Sequence, residues 1–108
     1  MKSENGVPGT ALESLRLFRE EKSIDKVAEL RDLKRGTICS HLAKAVEAGM
    51  LEIDPRDFYS EEEEKRIAGV VETVGLDALG PVHEALSGEI TYEKLHFFRA
   101  MARRNLRA

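Results

Sequence analysis

Apolar positions recur with helical spacing over most of the chain. Leu12, Leu15 and Phe18 stand on one side of a segment opening at Thr10, and Arg16, Arg19 and Glu20 take the other. That is the stripe of an amphipathic helix, and Thr10 with Glu13 three residues on reads as its capping box. Ser23 restarts a helix with Ile24, Val27 and Ala28 on one face, and a break over Asp32 to Gly36 follows. A third helix is predicted from about Thr37 to Ala48, buried along Ile38, Leu42, Ala45 and Val46, with Gly49 as its terminator. Leu51 and Ile53 alternate with Glu52 and Asp54, the pattern of a brief extended piece that Pro55 keeps out of the helical region. Ser60 before four glutamates is a strong helix start. Ile67, Val70, Val71 and Val74 supply the core stripe behind it, and Gly75 ends it. A short helix near Pro81 to Leu86 precedes a last one capped by Thr91. Leu95, Phe98 and Met101 face inward there, and Arg99, Arg103 and Arg104 outward. The class expected is all-α.

Charge changes this picture more than composition does. The net charge of -3 argues against coating nucleic acid by bulk attraction, but it hides a segregation. Residues 1–50 sum to +1, residues 51–90 to -8 and residues 91–108 to +4. The chain therefore has distinct faces that the total does not describe. With 6% aromatics and no Trp, it lacks the material of a base-stacking platform. No apolar run approaches the roughly twenty residues that span a bilayer, and the start lacks a signal-peptide core. Cys39 has no partner for an internal disulfide, so a cytoplasmic location is expected.

The chemistry-bearing stretch is Ser23 to Gly49. Two short helices joined by a tight turn form a helix-turn-helix when a small residue sits at their crossing. Ala28 has that place, and Leu33 is expected to fill the space under the turn. The second helix then directs Lys34, Arg35, Thr37, Ser40 and Lys44 outward as candidate nucleic-acid contacts, because such a helix meets phosphates and base edges with its first turns. Ser40 stands nearest to the bases. A second strip, Arg99, Arg103 and Arg104 with Arg107, joins the contact if the last helix lies on the same side.

The string Val27 to Leu42 resembles the helix-turn-helix of response-regulator and sigma-factor DNA-binding domains. It departs at Asp32, where those families place a turn glycine. Asp tolerates the left-handed conformation better than most residues. Over nearly the whole chain, from about Ala11 to Met101, the sequence resembles the helix-turn-helix domain at the C-terminus of RecQ-type and related bacterial DNA helicases. The matching pieces are Ala28-Glu29-Leu30-Arg31, Leu33-Lys34, Thr37-Ile38 and His41-Leu42. The Ser60 helix start, Gly75-Leu76 and Ala85 to Tyr92 follow in order. The resemblance implies a fragment of a larger ATP-dependent helicase, with the rest of that enzyme and DNA as partners.

The domain organisation expected is a linker at 1–9, a helix-turn-helix half at 10–50, a helical half at 51–104 and a tail at 105–108. The function expected is an accessory DNA-binding domain of a helicase; the alternative is a protein-interaction or dimerisation module of the same helicase, motivated by the acidic central segment. Catalysis is not expected, since no Gly-x-x-x-x-Gly-Lys phosphate loop and no nucleophile–base arrangement occurs. No cofactor or metal site is expected either. Cys39, His41, His83 and His96 lack paired ligand spacing. His41 is read as a half-buried packing residue, Cys39 as a passive small one, and Glu61 to Glu64 as a solvated helix start.

Overall fold

In a computed structural model, residues 7–107 are described, with side-chain surroundings for residues 7–105. Six α-helices follow in order: α1 (Gly9–Glu21), α2 (Ile24–Arg31), α3 (Arg35–Glu47), α4 (Glu61–Val74), α5 (Leu79–Ala85) and α6 (Tyr92–Arg107). There is no strand element among the described residues, so the chain is all-α. Of the nine residues read as linker, 1–6 lie outside the described residues, Val7 is buried and Gly9 opens α1. Residues 105–107 continue α6.

Backbone stereochemistry sets the turns. Asp32 takes the left-handed conformation, φ 53° and ψ 47°, and does the work of the missing glycine. The Asp32 amide donates to Glu29 O at 3.2 Å and the Leu33 amide to Ala28 O at 3.0 Å, the paired bonds of a Schellman ending. Gly49, φ 79°, closes α3 in the same way, with its own amide on Val46 O and that of Met50 on Ala45 O. At α4, Ser60 accepts from the Glu63 amide while the Glu63 carboxylate accepts from the Ser60 amide, so both bonds of a capping box are made.

Other sequence expectations give way. Pro8 is the N-cap of α1 and makes no side-chain bond, so Thr10 is inside the helix and not its cap. α3 begins at Arg35, two residues early, with Lys34 as N-cap. α5 likewise starts at Leu79. Residues 51–53 form no strand. Leu51 is buried and Glu52 exposed, but an alternating segment without a partner has no ladder to join. Pro55–Asp57 instead forms a single 3-10 turn capped by Asp54. Leu33 does not fill the space under the turn; its side chain is exposed, as is that of Leu30. Val74, expected in the core stripe of α4, is exposed too.

Two apolar clusters share α6. One gathers Leu15, Val27, Ile38, Leu42 and Val46 with Phe97 and Ala100. The other gathers Ile67, Leu79, Val82, Leu86 and Ile90 with Leu95. Phe98 packs against both. Because α6 is covered on two sides, its buried arc is wider than the single stripe expected from Leu95, Phe98 and Met101. α3 packs most extensively on α6, then on α1 and α2, and α4 packs on α5.

Candidate nucleic-acid interface

Packing on three sides leaves α3 one open stripe. Ile38, Cys39, Leu42, Ala43, Ala45 and Val46 are buried. Thr37 and Lys44 are exposed, and Ser40, His41, Glu47 and Ala48 are half-buried between them. These six positions span one side of the helix at 100° per residue. Lys34 is exposed at the N-terminal end of that stripe.

The cationic residues named from sequence do not share one fate. Arg35 is held by Asp25 of α2 at 2.5 Å and by Glu93 of α6 at 3.0 Å. The bond to Asp25, more than the pair with Glu93, raises its affinity for the proton. Arg35 thus ties three helices together. Arg104 turns to the other side of α6, where it donates to Leu51 O at 3.3 Å and pairs with Glu52. The side chain of Arg107 lies outside the described residues.

Arg99 and Arg103 do lie beside α3. Arg103 meets Glu47 at 3.9 Å. Burial, then the charge of Arg103, works against the charge of Arg99, and Glu47 partly offsets them. His96 joins this group: burial, then Arg99 and Lys44, lowers its proton affinity. One patch therefore holds Lys44 and Glu47 of α3 with His96, Arg99 and Arg103 of α6. For His96 and Arg99, nearby positive charge adds to the effect of burial. From sequence, His96 is weighed only as a metal ligand, yet its spacing to Arg99 and Arg103 (i, i+3, i+7) marks one helical face, and Arg104 falls off it.

On the other flank, α1 and α2 hold His41. The Arg31 guanidinium donates to Thr10 O and to Ser14 Oγ, both at 2.6 Å. Ser14 Oγ lies 2.8 Å from His41 Nδ1, and Ser14 is fully buried. Burial, then Arg31 and Lys44, holds the His41 imidazole below its ordinary value.

Cys39 is buried beneath the stripe, and its thiol is pushed up to about 12, chiefly by burial. His83 stacks on Tyr92 at 4.2 Å. Among the described residues no group of three or more His, Cys, Asp or Glu could hold a metal ion, and no helix is long and apolar enough to cross a membrane.

A family model described as a helix-turn-helix domain matches residues 10–99, from the first helix to the middle of α6. No curated protein and no solved structure matches the chain significantly.

Proposed function

The chain belongs to the helix-turn-helix domain family, and from that premise we propose that it binds double-stranded DNA, with α3 in the major groove and α6 along the flanking phosphates. The observation that carries this reading is the shared face of Lys44, Arg99 and Arg103, the two arginines lying 55 and 59 residues from the lysine in sequence. A major groove admits one helix, and α3 offers it Thr37, Ser40 and Lys44 with Lys34 at the entry. Arg35 holds α3 in place and is not a contact. The acidic start of α4 is largely offset by nearby cations: Glu63 pairs with Lys94 of α6 at 2.6 Å, Glu61 with Lys65 at 3.7 Å, and Glu64 with Arg56.

The size of the patch sets the strength. Lys34, Lys44, Arg99 and Arg103 against Glu47 neutralise about three phosphates, which gives a salt slope of about -3 and binding in the micromolar range. Such an affinity suits a domain that works in series with a stronger DNA-binding partner. The accessory role in an ATP-dependent DNA helicase, drawn from the order and spacing of the pieces between Ala28 and Tyr92, is that reading taken one step further.

Fluorescence anisotropy of labelled duplex, forked and single-stranded DNA at low salt tests the proposal. Duplex and fork are expected to bind at about micromolar concentration. Lys44→Glu with Arg99→Glu should abolish binding, and Arg35→Ala should leave the salt slope unchanged. No binding to any duplex at tens of micromolar, or an intact slope in the double variant, overturns it. Concentration-dependent self-association without DNA binding would favour the dimerisation alternative.

A further inference from the structure

His41 is a side chain on the open stripe of α3 that is bonded from behind, by Ser14 of α1. Arg31 has only protons to give, so the Ser14 oxygen accepts from it. The Ser14 hydroxyl proton then points to His41, 2.8 Å away, which assigns Nδ1 as the acceptor by its chemistry. An imidazole that accepts at Nδ1 carries its proton at Nε2. Among the described residues nothing bonds Nε2, and no buried side-chain nitrogen or oxygen lacks a partner. Nε2 therefore opens to solvent from a half-buried ring. A charged imidazole would need Ser14 to accept twice beside the Arg31 guanidinium, with Lys44 adding further positive charge on the same helix.

We propose that His41 is the sequence-reading residue of α3, presented by Ser14 and Arg31 as a neutral Nε2–H donor to a purine acceptor in the major groove, guanine O6 or purine N7. The inference rests on α3 being the helix that meets duplex DNA. Position and chemistry both separate His41 from the phosphate contacts. It sits in the middle of the stripe, between Thr37 and Lys44, where an inserted helix meets base edges; the cations lie to either side, Lys34 at the entry, Lys44 one turn further along and Arg99 and Arg103 on α6. A neutral donor releases no counterion, so its contact discriminates between sequences without adding to the salt slope. Ser14 is a positioning residue. It touches no DNA but fixes which ring nitrogen carries the proton.

The test uses the full chain. Short duplexes with randomised centres are enriched by rounds of binding. Affinity is then measured on the enriched duplex and on a shuffled duplex of the same base composition. Wild type should prefer the enriched duplex. His41→Ala should lose about ten-fold on it, the cost of one wrong contact, and less than two-fold on the shuffled one, with the same salt slope on both. Ser14→Ala should lose part of the same discrimination. In the free chain at neutral pH, the imidazole nitrogen resonances should identify the Nε2–H tautomer of His41, and Ser14→Ala should mix the tautomers. Where Ser14→Ala does not fold, His41→Ala and the wild-type resonances carry the test alone. A charged or Nδ1–H His41, equal losses on both duplexes, a slope reduced by about one, or wild-type binding without sequence preference overturns the inference while leaving DNA binding intact. Failure of wild type to bind any duplex overturns the reading beneath it as well.

Discussion

Replacing Phe97 by alanine removes the largest of the fully buried side chains from the seam between α3 and α6. The ring is 1% exposed, stacks on Phe58 at 4.0 Å between centroids and belongs to the cluster that holds Ile38, Leu42 and Val46. A buried Phe→Ala change costs about 3–5 kcal/mol in lost transfer energy and residual cavity. A domain of this size has about 5–15 kcal/mol in all, so the variant stands near the edge of folding. With a urea slope of about 1.5 kcal/mol per molar, the midpoint should fall by about 2–3 M. Equilibrium urea denaturation followed by far-ultraviolet circular dichroism measures it. Phe97→Leu, which keeps most of the volume, should lose only about 1 kcal/mol. A Phe97→Ala variant within about 1 kcal/mol of wild type, at an unchanged slope, would refute the packing. The consequence reaches function, because an undocked α6 would not hold Arg99 and Arg103 beside Lys44.

Three further outcomes are expected. Ser60→Ala breaks the capping box of α4 and should lower stability by about 1 kcal/mol, read from the same urea transition; no change would mean the box contributes nothing in solution. Acid should destabilise the fold in two stages. His41 and His96 sit below their ordinary value of 6.5, so the unfolded chain takes up these protons first and stability declines as pH falls below 6.5. Glu63 is held below its ordinary 4.5 chiefly by the bond from Lys94, so its contribution is lost as pH falls beneath 4.5. Thermal melts across this range should lose the first stage in a His41→Gln, His96→Gln double variant, and persistence of that stage would point to other groups. Cys39, buried with a thiol at about 12, should resist iodoacetamide at mildly alkaline pH until urea unfolds the chain; prompt alkylation of the native protein would contradict its burial.

Much of the helical layout was legible because local physics determines it. The Ser60 box, the Gly49 ending and the stripe of Ile38, Leu42, Ala45 and Val46 depend on residues within one or two turns of each other. The same local rules account for the misses. Thr10 carries the composition of a cap, but Pro8 lies where the chain enters α1 and takes the position. Leu33 is apolar and stands next to the turn, but the left-handed Asp32 sends the chain out to solvent there. Phe97 escaped notice because one stripe was sought on α6 where two clusters cover it.

The candidate interface divides along the same line. Lys34, Thr37 and Lys44 are outward on α3 by periodicity alone. Whether any arginine of α6 stands beside them depends on how α6 crosses α3, which no spacing within either helix contains. Tertiary contact moved Arg35 into the clamp between Asp25 and Glu93, turned Arg104 toward Glu52, and left Arg99 and Arg103 with His96 next to Lys44. It also brought Ser14 against His41 with Arg31 behind it, from 27 and 10 residues away. From its sequence alone this protein is a set of capped, amphipathic helices with a helix-turn-helix at its head, because hydrogen bonds and apolar stripes act within a few residues. Which charges add up to a face was decided by the packing of α6, because charges act through space and not along the chain.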